Sequence, residues 1–165
     1  MTSLNRKKTE SLGKGIFILI CRIILLFAFI AGCSESQSLL LRWNTDFEKM
    51  SPTEVVSQLP NLAVKTERPL LVYFHADWCH NCIDLERLLA EPQFFSIIEE
   101  SWLPVRIDIT DSKLWQEPVF QNFGVYGVPA LSFVTKEGVI QKRLTLVGAS
   151  PPKRALRSVL EQLSQ

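Results

Sequence analysis

The sequence predicts an α/β domain with a central mixed β-sheet flanked by helices, and three observations lead to this prediction. Strand-like and helix-like segments alternate along residues 50–165, in the order β, α, β, α, then a hairpin and a final helix. The first strand candidate, 70–76, is almost continuously hydrophobic, which is typical of a strand covered on both faces. Lys136-Glu137-Gly138 is a turn signal between two further strand candidates, so we expect those two to pair antiparallel.

A helix is predicted before the first strand. Ser51 is suited to cap this helix, Pro52 to occupy its first position and Glu54 to complete a capping box. We expect Pro60 to end or kink the helix, because proline lacks the N–H that the helical hydrogen bond needs. Pro69 then introduces the strand.

The remaining elements follow from hydrophobic periodicity and from proline and glycine positions. We expect helices over 79–89 and 93–100, a strand over 103–109, a helical stretch over 112–123 interrupted at Pro118, and strands over 130–135 and 139–147. A last helix opens at Pro151-Pro152, and its predicted apolar face consists of Ala155, Leu156, Val159, Leu160 and Leu163.

Two cysteines, Cys79 and Cys82, follow the hydrophobic strand where it gives way to a helix. At a helix start, unpaired backbone N–H groups and the positive end of the helix dipole stabilise a thiolate. Cys79 is therefore the predicted nucleophile toward disulfides, and Cys82, one turn further on, is predicted to resolve the mixed disulfide. Such chemistry needs no diffusible cofactor, because the thiols themselves carry the redox equivalents.

Other interpretations of the cysteine pair stay open. A tetrahedral zinc site normally needs four ligands. Cys21 and Cys33 lie far away, in the apolar N-terminal leader and at its end. Only His75 and His80 are therefore near enough in sequence to complete such a site. The rival function is therefore a metal-handling lipoprotein that binds copper or zinc through the cysteine pair and these histidines. A structural disulfide, or an interaction module with an incidental dithiol, is the further alternative.

Charge and hydrophobicity set residues 1–32 apart from the rest of the chain. The 165 residues are 47% hydrophobic with a net charge of +1. Residues 1–32 hold five basic residues against Glu10, a net charge of +4, which leaves −3 for residues 33–165. Because the basicity belongs to the leader, nucleic-acid binding has no support. The basic start of this leader and its two apolar stretches, which are separated at Arg22, favour an export signal or a membrane anchor.

The leader ends in Ile30-Ala31-Gly32-Cys33, which resembles the bacterial lipobox. The resemblance implies that Cys33 is lipidated and begins the mature chain, and Ser34 after it leans towards the outer membrane. A cleavage site without lipid, or an uncleaved anchor, is the alternative. We predict a tether over 33–49, a domain over 50–165, and a membrane-anchored location in the cell envelope that faces the periplasm.

Over roughly residues 45–165 the chain resembles the thioredoxin family. The resemblance rests on Trp78-Cys79-His80-Asn81-Cys82 after a buried strand, combined with Gly127-Val128-Pro129 about 50 residues later. Further matches lie in the segments 76–79, 108–110 and 123–125 and at Glu86. Together they make the chain most similar to the periplasmic C-terminal thioredoxin domain of DsbD-type thiol:disulfide interchange proteins. The resemblance implies the thioredoxin fold and a thiol:disulfide oxidoreductase that reduces protein disulfides.

The resemblance also implies how substrates and partners bind. It implies a cis Val128-Pro129 peptide that faces the dithiol, an ordinary trans turn being the alternative. The backbone of Val128 would then pair with an extended substrate segment beside Cys79, and Trp78 and Tyr126 would form an apolar rim. The implied partners are protein disulfide substrates and a transmembrane electron donor of the DsbD or CcdA type.

One departure from the thioredoxin pattern concerns the proton acceptor. Many thioredoxins have a buried aspartate six residues before the nucleophile, where this chain has Tyr73. Glu86 is the candidate replacement, because helical spacing puts it on one face with Cys82. A partly buried carboxylate there would be suited to take or return the Cys82 proton. The alternative is a solvated helix glutamate.

The second departure is the dipeptide His80-Asn81 between the cysteines, which we expect to tune the redox potential. A protonated His80 close to Cys79 would favour the thiolate and make the disulfide more oxidising, whereas a neutral ring would add little. The dipeptide therefore leaves the direction of electron flow open, and the reductive direction comes from the resemblance alone.

Overall fold

The computed structural model describes residues 41–44, 47, 50–148 and 151–164. The predicted leader, the lipidation site Cys33 and most of the tether lie outside these residues, so export, anchoring and lipidation stay predictions. Within the described ranges, no helix combines the length and the apolar character that crossing a bilayer requires.

The described chain folds into a four-stranded mixed sheet with helices on both faces. The helices are α1 (Pro52–Thr66), α2 (His80–Leu89), α3 (Pro92–Ser101), α4 (Pro118–Asn122) and α5 (Lys153–Leu163). The strands are β1 (Leu70–His75), β2 (Leu103–Asp108), β3 (Ala130–Val134) and β4 (Leu146–Val147). Their order is β2-β1-β3-β4; β1 pairs parallel with β2, and the other two pairings are antiparallel. The predicted α/β architecture is confirmed.

Helix α1 begins as predicted but ends later. The Ser51 hydroxyl accepts a hydrogen bond from the N–H of Glu54, and the Glu54 carboxylate accepts one from the N–H of Ser51. The expectation that Pro60 ends the helix is wrong, because the helix continues to Thr66. Ala63, in the turn after the proline, is fully buried. Packing of that turn against the core therefore outweighs the hydrogen bond that proline cannot make.

The strand predicted over 139–147 is also largely wrong. Only Leu146–Val147 pair with β3 as a strand, Ile140 forms an isolated bridge, and Lys142–Leu144 form a 3₁₀ turn. The hydroxyl of Thr145 donates to the carbonyl of Phe123 at 2.6 Å, so this segment bends to the neighbouring loop and leaves the sheet. The antiparallel pairing itself is confirmed.

The apolar face of α5 is narrower than predicted. Leu156 and Leu160 are fully buried, and Val159 and Leu163 are half-buried. Ala155 is exposed, because the contact with the sheet follows only the central stripe of the helix.

Alternating side chains of β1 belong to two separate hydrophobic clusters. We call the side packed by α2, α3 and α5 the dithiol face; it holds Leu71, Tyr73, Leu131 and Phe133 of the sheet with Cys79, Cys82, Leu85, Leu89, Phe94, Ile98, Leu156 and Leu160. We call the side packed by α1 and α4 the apolar face; it holds Leu70, Val72, Phe74, Val105, Ile107, Ala130 and Val134 with Val55, Val56, Leu59, Ala63 and Phe120.

Residues 41–44, within the predicted tether, contact the domain. The N–H of Asn44 donates to the carbonyl of Pro104 at 2.9 Å, which extends the sheet beyond β2. The ring of Trp43 lies 5.4 Å from the ring of Tyr73, and Leu41 is buried. The packed domain therefore includes residues before 50.

Candidate active site at the start of helix α2

Cys79 caps the N-terminus of α2, and Cys82 lies in its first turn. A disulfide joins the two residues, whose Cα atoms are 5.3 Å apart. The Cys79 sulfur also accepts a hydrogen bond from the N–H of Cys82 at 3.1 Å. Only 8% of Cys79 and 4% of Cys82 is exposed. The N–H of Cys82 also donates to the carbonyl of Cys79 at 3.1 Å. The sulfur of Cys79 therefore meets an N–H of the first helical turn, the arrangement that stabilises a thiolate.

A polar groove of about 210 Å³ opens beside the disulfide. Its lining combines the end of β1, the start of α2 and one residue of β2: His75, Ala76, Asp77, Cys79, His80, Cys82, Ile83, Glu86 and Arg106. The groove brings together four of the predicted site residues, namely the two cysteines, His80 and Glu86. His80 and Asn81 are both exposed, so the dipeptide between the cysteines faces solvent.

Four side chains form a polar cluster on the dithiol face: Tyr73, His75, Glu86 and Arg106. The hydroxyl of Tyr73 donates to the carbonyl of Cys82 at 3.2 Å. Nη2 of Arg106 lies 3.5 Å from Oε1 of Glu86 and 3.3 Å from Nδ1 of His75. Tyr73 and Arg106 are register partners on neighbouring parallel strands, which is why they share this face. The cluster thus links β1, β2 and α2 next to Cys82.

Burial and charge shift two groups of the polar cluster. Burial, reinforced by the negative charge of Glu86, raises the pKa of Tyr73, so its hydroxyl stays protonated. Burial, reinforced by the positive charge of Arg106, lowers the pKa of His75. Both groups are therefore neutral at physiological pH.

Glu86 lies between the two environments that the sequence allowed, a partly buried carboxylate and a solvated one. Its side chain is 38% exposed, and its carboxylate is paired with Arg106, whose side chain is 40% exposed. Helical spacing puts it one turn after Cys82 on the wall of the groove, as predicted. A carboxylate at this position touches the groove from which a proton of Cys82 would leave.

Trp78 stands half-exposed at the edge of the site. Its Nε1–H donates to the carbonyl of Thr110 at 3.1 Å, and its ring lies 5.7 Å from the ring of Trp115. The hydroxyl of Thr110 accepts a hydrogen bond from the N–H of Asp77 at 3.0 Å, so the loop before α2 is fastened to the end of β2. Tyr126 is 63% exposed, and its part in an apolar rim stays a prediction.

The Val128-Pro129 peptide is cis, as the family resemblance implied. It directly precedes β3, and the carbonyl of Pro129 accepts a hydrogen bond from the N–H of Gly148 at 2.9 Å. Val128 is half-buried and packs against the hydrophobic cluster that contains both cysteines. Within the described ranges, the backbone N–H and carbonyl of Val128 have no hydrogen-bond partner.

Arg106 is a site residue that the sequence analysis missed, and Thr110 entered that analysis only within the segment 108–110 of the family resemblance. The available signal was a single positive charge, Arg106, in the otherwise apolar run from Leu103 to Ile107. Its partners His75 and Glu86 lie on other elements, and no local sequence pattern predicts such contacts. Among the described residues, no three His, Cys, Asp or Glu side chains come together in an arrangement that would hold a metal ion.

Residues 57–164 match the family model described as a thioredoxin-like domain. A thiol:disulfide interchange protein DsbD from Ralstonia nicotianae is 25% identical over 92 residues, which are 56% of this chain and 15% of that protein. The oxidised C-terminal domain of DsbD from Neisseria meningitidis has a TM-score of 0.52 at 21% identity and covers 69% of this chain and 97% of its own. A thioredoxin from Thermus thermophilus has a TM-score of 0.53 at 22% identity, with coverages of 74% and 86%. These structural similarities show the thioredoxin fold.

Proposed function

The chain belongs to the thioredoxin-like domain family, and on that premise we propose that it is an exported, membrane-tethered thiol:disulfide oxidoreductase that reduces protein disulfides. The observation that carries the proposal is the Cys79–Cys82 disulfide at the N-terminus of α2, with the Cys82 N–H directed at the Cys79 sulfur. A disulfide at this position is the oxidised product that the reaction would leave.

The reaction consists of two exchanges. In the reduced protein, the Cys79 thiolate attacks one sulfur of a client disulfide; the client S–S bond breaks, and one client sulfur leaves as a thiolate. Cys82 then loses its proton and attacks the sulfur of Cys79, which releases the second client sulfur and forms the Cys79–Cys82 disulfide. The client gains two electrons, and the Cys79–Cys82 pair loses them.

Glu86 is the proposed acceptor of the Cys82 proton. Its support is its place on the groove wall one turn after Cys82 and its pairing with Arg106. In Glu86→Gln, we expect slower resolution of the mixed disulfide while the attack by Cys79 keeps its rate. Stopped-flow measurement of the two steps separates them, and equal rates in both proteins would remove the role.

The proposed client site lies beside the cis peptide. The free backbone groups of Val128 support pairing with an extended client segment, since strand addition needs an unpaired N–H and carbonyl. Pro129 would place that segment next to the disulfide, and the half-exposed ring of Trp78 would offer apolar contact.

The reductive direction requires an electron donor outside the cytosol. Relatives named thiol:disulfide interchange protein DsbD support a transmembrane donor of the DsbD or CcdA type, which would return the Cys79–Cys82 pair to its reduced form. A lipidated Cys33 would hold the protein at the periplasmic side of a membrane. Release of the protein from the membrane fraction in Cys33→Ser tests the anchor, and a variant that stays membrane-bound would contradict it.

Reduction of insulin disulfides by the purified full chain, with dithiothreitol as electron source, tests the function. We expect catalysis by the natural protein and none by Cys79→Ser. Equal rates for both proteins, or no catalysis by either, would contradict the proposal. Stoichiometric binding of copper or zinc at sub-micromolar free metal, without insulin reduction, would instead support the metal-handling rival.

A further inference from the structure

We propose that His75 is a positioning residue of the dithiol: a neutral imidazole, held by Arg106 with its proton on Nε2, that donates a hydrogen bond to the thiolate formed on reduction. The inference rests on the proposed redox function. His75 lies at the end of β1, outside the Cys79–Cys82 segment, and the fold brings it to the polar groove.

Arg106 determines which ring nitrogen of His75 carries the proton. Its Nη2 lies 3.3 Å from Nδ1 of His75. A guanidinium has only hydrogen-bond donors, so Nδ1 must be the acceptor and carries no proton. The single proton of the neutral ring is therefore on Nε2.

A second proton on the ring is disfavoured by its surroundings. The groups that face it come from its own strand, from β2, from α2 and from the loop before α2: Tyr73, Arg106, Asp108, Glu86 and Asp77. The three carboxylates raise the pKa of His75, but burial and the guanidinium outweigh them and lower it. Only 8% of His75 is exposed. Protonation of Nδ1 would also replace the hydrogen bond with two cations in contact.

The Nε2–H of His75 is available to a further acceptor. Among the described residues, Nδ1 makes the only hydrogen bond of the ring. No buried side-chain nitrogen or oxygen of that part of the chain lacks a partner, so Nε2 reaches open space in a cavity that His75 lines. His75 lines two cavities: the polar groove, which both cysteines also line, and a neighbouring cavity of about 380 Å³ beside Trp43 and Phe47, which neither cysteine lines. The proposal places Nε2 in the polar groove.

A donor at this position acts on the reduced state. The disulfide is uncharged, whereas reduction at neutral pH places negative charge on sulfur, and hydrogen bonds to charged acceptors are stronger than neutral ones. His75 therefore stabilises the reduced form and makes the pair more oxidising. Removal of the donor should shift the equilibrium towards the disulfide.

The equilibrium of the full chain with a glutathione buffer measures this effect. In His75→Phe, which keeps a ring but no donor, we expect the equilibrium to shift about tenfold towards the disulfide, roughly 30 mV for a two-electron couple. His75→Gln keeps an N–H donor and should stay close to the natural protein. An unchanged equilibrium in His75→Phe, or an equal shift in His75→Gln, would overturn the proposal.

A second measurement needs no change at position 75. The chain has only two histidines, so ¹⁵N NMR of the ring nitrogens in the natural protein and in His80→Asn assigns the signals of His75. We expect the neutral tautomer protonated at Nε2 at neutral pH. A ring protonated at Nδ1, or at both nitrogens, would overturn the proposal even if His75→Phe fails to fold.

Neither measurement uses a protein client. Failure of insulin reduction would therefore overturn the proposed function without changing these readings. Normal insulin reduction with an unchanged glutathione equilibrium in His75→Phe would overturn the role of His75 alone.

Discussion

The two faces of β1 differ in chemistry, although the alternating side chains of one six-residue strand form both of them. On the apolar face, Phe74 packs edge-on against Phe120 and Phe123, with ring centres 6.0 and 6.1 Å away. On the dithiol face, Tyr73 and His75 have aromatic neighbours too, but each places a polar atom next to Arg106 or Cys82. The comparison indicates that one face chiefly stabilises the domain and the other adjusts the chemistry of the cysteines.

The largest expected effect is on the dithiol face, in Cys82→Ser. Without a resolving thiol, insulin reduction should lose all turnover, and a mixed disulfide between Cys79 and insulin should accumulate. Mass spectrometry of the quenched reaction detects that species. The double variant Cys79→Ser/Cys82→Ser is the control and should form no adduct; natural turnover by Cys82→Ser would contradict the assignment.

A substitution on the apolar face should show the opposite profile. Phe74→Ala removes a fully buried ring, and we expect a loss of about 3–5 kcal/mol in the free energy of unfolding. The glutathione equilibrium of the folded protein should not change, because Phe74 belongs to the hydrophobic cluster of the apolar face and the cysteines belong to that of the dithiol face. Urea denaturation and the glutathione titration check the two parts. A shifted glutathione equilibrium would break the proposed division between the faces.

Tyr73→Phe tests the dithiol face with the removal of one oxygen. The loss of the hydrogen bond to the Cys82 carbonyl should cost about 1 kcal/mol of stability and alter the alkylation rate of Cys82 about fivefold. Ser51→Ala, which removes the cap of α1, should cost a similar amount of stability and leave that rate unchanged. If the two variants have the same Cys82 alkylation rate, the Tyr73 contact has no chemical role.

The smallest expected effect is a pH dependence of stability due to His75. Because its pKa is lowered on folding, the unfolded chain takes up the proton first as the pH falls, and the free energy of unfolding decreases below about pH 6.5. Above that pH both states are neutral at this ring, and its contribution is fully present. Urea unfolding of the oxidised protein between pH 7.5 and 5 should show a steeper loss than in His75→Gln. Identical slopes would show that His75 titrates alike in both states.

The titration of Asp108 does not contribute to the change in the free energy of unfolding between pH 7.5 and 5. Burial opposes ionisation, but hydrogen bonds from the hydroxyl and N–H of Thr110 lower the pKa of Asp108 overall. Its contribution to stability is therefore present above about pH 4 and is lost only in stronger acid.

The sequence predicted the features that depend on local pattern. The cap at Ser51, the buried strand and the placement of Cys79 at a helix start all follow from short-range chemistry, and the structure confirms them. The end of the first helix at Pro60 and most of the strand over 139–147 were mispredicted, because tertiary packing overrode the local preference. The cis peptide came from the family resemblance, since no spacing in a single sequence distinguishes cis from trans.

The polar cluster could not be predicted in the same way. Arg106 reaches His75 and Glu86 only through the parallel register of β1 with β2 and the packing of α2 over both. These contacts join residues 31 and 20 positions apart in the chain. The family resemblance indicated that Tyr73 stands where many thioredoxins have an aspartate, and only the fold showed which groups surround Tyr73.

A single-turnover electron count tests the central claim most directly. Fully reduced protein is mixed with an excess of insulin without any other reductant, and the disulfides of both proteins are mapped by mass spectrometry. One Cys79–Cys82 disulfide should form for each insulin disulfide that is lost. Loss of insulin disulfides without that link, or formation of the link while insulin stays oxidised, would contradict the account.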